Sequence, residues 1–107
     1  MERKRNYAQI LVDSSDNDSL DTETFAKLCK ALGHPARIQI VTYLKMANQC
    51  ICGEIVELLP LAQSTVSQHL KSLKQAGLIL GEVEGSRTCY CLNKTMLERF
   101  KKAAARL

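Results

Sequence analysis

The chain has 107 residues, 46% of them hydrophobic, with 15 Lys and Arg set against 11 Asp and Glu for a net charge of +4. That length makes one domain with a single core, small enough that a partner subunit would add to its stability. No run approaches the roughly 18 consecutive apolar residues of a membrane span, and the basic start lacks a following apolar stretch with a cleavage site, so neither insertion nor secretion is expected.

A cytoplasmic setting follows, and it shapes the reading of Cys29, Cys50, Cys52, Cys89 and Cys91. Thiols there are normally reduced, and clustered ones more often serve metals or redox chemistry than static bridges. The basic balance is compatible with nucleic acid and equally with many other partners.

Residues 1–20 read as an extension, a short amphiphilic opening followed by a polar, acidic tether from Asp13 onward. Asp21 and Glu23 then suit a helix start, where side-chain oxygens and negative charge satisfy exposed N–H groups. Phe25, Leu28, Cys29 and Leu32 recur at helical spacing until Gly33, which places Cys29 in the core. Pro35 sits where a first helical residue tolerates proline, and Ile38, Ile40, Val41 and Leu44 mark a second helix through about Met46. A short third helix is expected over 53–59, with Ile55, Leu58 and Leu59 inward and Pro60 as its stop. The fourth runs from Gln63 with Val66, Leu70 and Leu73 on one side, and Gly77 ends it.

Two extended stretches, 78–83 and 87–93, flank Glu84-Gly85-Ser86 and read as a hairpin. The closing segment favours helix, with Met96 or Leu97 and Phe100 on a seam that extends toward Ala104 and Leu107 and invites a partner. The fold class is therefore mainly α with a small β-hairpin: a winged helix-turn-helix over residues 21–107. In that arrangement the fourth helix enters the major groove of double-stranded DNA. Its outward residues Gln63, Ser64, Thr65, Ser67 and Gln68 are short hydrogen-bonding groups suited to base edges, Lys71 suits phosphate, and Arg87 places a cation in the wing. On an isolated helix such a polar face would be merely solvated; the hairpin and terminal helix that follow favour DNA.

The stretches Leu-Cys-Lys-Ala-Leu-Gly-His-Pro-Ala-Arg-Ile-Gln-Ile-Val and Ser-Thr-Val-Ser-Gln-His-Leu-Lys-Ser-Leu-Lys-Gln-Ala-Gly-Leu-Ile resemble the ArsR/SmtB family of bacterial winged-helix repressors. The resemblance covers about residues 22–107. It implies a homodimer built on the first and last helices, binding an inverted-repeat operator and, in many members, releasing it when a metal or metalloid binds. Ala62 departs from the usual polar cap before the reading helix, and His34 replaces a commoner aspartate before the proline, as a cap or surface residue. His69 reads as structural.

Cys50-Ile51-Cys52 falls where arsenic-, antimony-, cadmium- or lead-sensing members carry a cysteine pair, but Ile55 occupies the place of their third cysteine. Cysteines two apart share a face only on a strand. If the segment before the reading helices pairs with the second hairpin strand, Cys89 and Cys91 come within reach of one ion as well. Three thiolates would suit As(III) or Sb(III) as inducer; four would suit Zn or Cd. The same facing pairs could instead form a disulfide switch, hold a structural zinc, or be inert with no cofactor at all. No nucleophile, base and orienting group stand together, so an enzyme is not expected. A winged-helix module that binds protein rather than DNA is the remaining rival.

Overall fold

The computed structural model describes residues 19–107, so the extension read over 1–20 lies, but for its last two residues, outside the described residues. Four α-helices and a three-stranded sheet follow in chain order. α1 spans Thr22–Leu32 and α2 spans Pro35–Ala47. The short strand β1 (Ile51–Cys52) and one 3₁₀ turn (Glu54–Glu57) lead into α3, Gln63–Gln75. The hairpin β2 (Ile79–Glu84) and β3 (Arg87–Leu92) precedes α4, Lys94–Ala105.

The helix starts follow from capping chemistry. Asp21 accepts the Thr24 N–H at 2.7 Å, and the Nδ1 of His34 accepts the Ala36 N–H at 3.1 Å ahead of Pro35. Asn93 does two jobs: its Oδ1 accepts from the Met96 N–H at 3.2 Å, and its Nδ2 donates to the Gly77 carbonyl at 2.9 Å. The start of α4 is thereby fastened to the end of α3. Ala62, ahead of α3, makes no side-chain cap, as its chemistry requires.

One core unites the helices. Phe25, Leu28 and Ala31 of α1, Ile40, Val41 and Leu44 of α2, Val66, Leu70 and Leu73 of α3, and Leu97 and Ala103 of α4 close around Ile55, Leu78 and Ile79. Phe25 and Phe100 stack with ring centroids 5.3 Å apart, joining the first and last helices.

Three expectations need correcting. The helix expected over 53–59 is a single 3₁₀ turn, because Gly53 enters it with φ of 73° and Pro60 follows too soon for an α-helix to propagate. Cys29 is exposed and unpaired rather than in the core, since the buried stripe of α1 steps through Phe25, Leu28 and Ala31 and leaves position 29 beside it. Ile38 is likewise 46% exposed, outside the stripe formed by Ala36, Ile40, Val41 and Leu44.

The sheet order is β1-β3-β2, antiparallel throughout. β2 and β3 turn at Gly85-Ser86, with Gly85 at φ 63°, the first loop position where a two-residue type II′ turn requires a positive angle. β1 pairs the other edge of β3 in the register Ile51↔Tyr90 and Cys52↔Cys89. Asn48, in the left-handed region at φ 53°, turns the chain from α2 toward β1, and its side-chain oxygen accepts from Lys94 at the start of α4.

Candidate nucleic-acid interface and cysteine cluster

α3 buries Val66, His69, Leu70 and Leu73 and presents the rest of its surface to solvent. Gln63, Ser64, Thr65, Ser67, Gln68 and Lys71 are all exposed, and so is Arg87 at the start of β3. Arg87 and Ser86 of the wing line one cleft of about 270 Å³ with Gln63 and Ser67 of α3, and Gly53 and Tyr90 also line it. The wing cation and the start of α3 thus bound a single surface, the arrangement required for simultaneous groove and backbone contact.

Behind that surface lies a polar contact without a local sequence signature. His69 is buried, at 8% exposure, and its Nδ1 accepts a hydrogen bond from the Nε of Arg37 at 3.1 Å. The Nη1 of Arg37 also donates to the Ala31 carbonyl at 3.3 Å, and the His34 ring lies 4.4 Å from the His69 ring. Burial first, then the neighbouring His34 and Arg37, pushes the His69 imidazole below its ordinary pKa. It therefore stays neutral at neutral pH and keeps the lone pair that Arg37 uses.

The sign of the pH effect follows. A histidine that holds its proton less tightly when folded contributes stability above the unfolded value, near 6.5, and loses it as pH falls through the lower folded value. The thermal midpoint of the wild type should therefore fall toward that of His69→Gln as pH is lowered from about 7.5 to about 5. Unfolding followed by circular dichroism checks this; a gap that does not change with pH would mean that the imidazole is not depressed.

The four clustered cysteines meet on the sheet. Position 50 precedes β1 and position 91 lies two along from 89, so the register that sets Cys52 against Cys89 also sets Cys50 against Cys91. Both pairs are disulfides, with Cα separations of 3.9 Å for Cys52–Cys89 and 4.3 Å for Cys50–Cys91. Ile51 and Tyr90, between them, turn to the opposite face and join the core. The pairs differ in surroundings: Cys89 is 5% exposed, whereas Cys50 is open to solvent beside a cavity of about 250 Å³ lined also by Asn48, Gln49 and Lys94. Sulfurs bonded to each other offer no thiolate, and among the described residues no group of three or more His, Cys, Asp or Glu is arranged around an ion. Once reduced, the same sulfurs become a set of soft donors on adjacent strands, which fits a thiophilic ion.

Comparison with known proteins agrees with this architecture. Residues 34–80 match the family model described as bacterial regulatory protein, arsR family. The HTH-type transcriptional repressor SmtB of Mycobacterium tuberculosis is 44% identical over 66 residues, covering 62% of this chain and 48% of that protein, so the chain spans about half the length of this relative. The transcriptional repressor PagR of Bacillus anthracis is 35% identical over 80 residues, covering 74% of this chain and 79% of its own. Among solved structures, a homodimeric winged helix-turn-helix DNA-binding domain from Mycobacterium bovis, described as a possible ArsR-family transcriptional regulator, superposes with a TM-score of 0.64 at 27% identity, covering 78% of this chain and 77% of that one. Fold and relatives are those of transcriptional regulators and not of enzymes, and among the described residues no helix is long and apolar enough to cross a membrane. With the family model matched from the cap of the second helix to the start of β2, and a relative covered over most of its length, the chain belongs to the arsR family of bacterial regulatory proteins.

Proposed function

We propose that the protein is a cytoplasmic, homodimeric repressor that holds operator DNA through α3 and the wing and releases it when chemistry at the four-cysteine cluster changes. The observation that carries this reading is the register placing Cys50 and Cys52 opposite Cys91 and Cys89. That cluster lies between the segment leading into the reading unit and the wing itself. Gly53, next to Cys52, and Tyr90, between Cys89 and Cys91, both line the cleft that Arg87 shares with Gln63 and Ser67. A change in spacing between β1 and β3 therefore alters the angle at which wing and helix meet DNA.

The inducer we favour is a thiophilic ion, As(III) first, held by Cys50, Cys52 and one or both of Cys89 and Cys91 in their reduced form. Sb(III) has the same requirement for three thiolates, and Zn or Cd would use four. When bound, such an ion would supply soft Lewis acidity that holds the thiolates together, while DNA would be met by α3 and Arg87. Release requires that the ion prefer the conformation with low DNA affinity.

The disulfide pairing favours a second reading, in which oxidation itself is the signal. Peroxide would oxidise one thiolate of a pair to a sulfenic acid; the partner thiol would then attack that sulfur, forming the S–S bond as the S–O bond breaks and the oxygen leaves as water. One experiment separates the two. Reduced, metal-free protein bound to a fluorescent duplex, selected by the protein from a randomised pool, is titrated with arsenite, antimonite, cadmium, zinc and peroxide, and anisotropy is followed. Release by an ion, lost in the Cys89→Ser, Cys91→Ser variant, supports ion sensing; release by peroxide alone supports the redox reading. Retention of DNA under every titrant would refute both.

A further inference from the structure

The flank of α3 away from the wing carries a second concentration of positive charge. An open cleft of about 320 Å³ between α1, α2 and α3 is lined by Lys27, Lys30 and Arg37, with Ser72 and Gln75 from α3 and no carboxylate. None of the three cations forms an ion pair among the described residues. Arg37 is already oriented: Nε is held by His69 and Nη1 by the Ala31 carbonyl, while Nη2 has no partner among the described residues. A guanidinium fixed along one edge and flanked by two lysines matches the charge and donor pattern of phosphate recognition.

Its position identifies the phosphate. At about 100° per residue around α3, the wing-side residues Gln63, Ser67 and Leu70 fall within a sector of about 60°, and Ser72, Gln75 and Ala76 centre about 165° away. Ser64 and Lys71 project between those sectors and Gln68 lies at the near edge of the second, all on the exposed face. A helix seated in a major groove has a phosphate backbone on each side of it. Arg87 serves one side. Resting on the proposed operator binding, we infer that Lys27, Lys30 and Arg37 form a phosphate site for the DNA backbone on the other side. Through Arg37 and His69, this contact bears directly on the buried face of α3 and sets how the helix sits in the groove.

The test measures the salt dependence of binding to the pool-selected duplex, using full-length protein under reducing conditions. The variant Lys27→Ala, Lys30→Ala should give a plot of log affinity against log salt that is shallower than wild type by about one to two, since each neutralised phosphate contributes about 0.9. The variant Lys45→Ala, Lys101→Ala removes the same charge from a neighbouring pair of lysines on α2 and α4 and should leave the slope unchanged. Equal slopes in wild type and the Lys27, Lys30 variant overturn the inference while leaving operator binding intact. Failure of wild type to select any duplex overturns operator binding itself, and this inference with it. Calorimetry with inorganic phosphate supplies the second arm: phosphate bound by wild type and lost in the variant, with DNA slopes equal, reassigns the cleft to a free anion and rejects the backbone contact.

Discussion

Reduction of the two cross-strand disulfides should lower the thermal midpoint by about 15 °C or more. The bridges span 41 and 37 residues, and closing a loop of about 40 residues removes about 4 kcal/mol of chain entropy from the unfolded state. For a domain of this size about 1 kcal/mol corresponds to roughly 4–8 °C. The two bridges do not add, because one is nested immediately inside the other, and once either has closed the long loop the second closes only a short ring. Removing the outer pair, as Cys50→Ser with Cys91→Ser, should therefore retain most of the oxidised protein's stability, and removing the inner pair likewise. Only the fourfold variant should match the reduced wild type. Thermal unfolding with and without a phosphine reductant, at one fixed protein concentration because the protein is proposed to dimerise, measures all four. A midpoint unmoved by reductant would show that the bridges do not form in solution.

Neighbouring residues on α3 should behave in opposite ways. Leu70 is 1% exposed and packs within the common core, so Leu70→Ala removes buried methyl groups and leaves a cavity, at a cost of about 2–5 kcal/mol. That is a large share of the stability of any small domain, and DNA binding should fall because the folded population falls. Lys71 is exposed and has no partner among the described residues. Lys71→Ala should leave the denaturation midpoint within about 0.5 kcal/mol of wild type while making the salt slope of DNA binding shallower by about 0.9. Urea unfolding and anisotropy on the same two variants test the pair together. A stable Leu70→Ala protein would contradict the packing; an unchanged slope for Lys71→Ala would remove it from the interface.

Much of this architecture was legible in residue chemistry. Asp21, Pro35 and Gly77 mark helix ends because capping and ring geometry act locally, and the observed helices begin or end at those marks. The hairpin was legible in Gly85 for the same reason. What escaped was set by length and by distant packing. The stretch between Gly53 and Pro60 has an apolar pattern that fits a helix, but too few residues to propagate one. Cys29 and Ile38 lie at the margins of their buried stripes, where spacing alone does not say which side faces the core. The Arg37–His69 contact joins residues 32 apart and leaves no periodic trace. The facing of the two cysteine pairs was legible because side chains two apart on a strand share a face. Whether those sulfurs bond one another or a shared ion is a matter of redox state, which residue order does not encode.

The absent cap at Ala62 has a consequence in time. α1, α2 and α4 each begin with a side chain closing an N–H group of the first turn, but α3 begins with a methyl group. A missing cap costs about 1 kcal/mol, and helix ends open from the least satisfied terminus. The first turn of α3 is thus the quickest of the four to unwind and rewind. The residues read as facing the bases, Ser64 and Thr65, lie in that turn. If the proposed operator binding holds, their adjustment to a sequence should be fast compared with any motion of the packed core behind them, and alternative contacts along DNA would be sampled without loosening the fold that carries them.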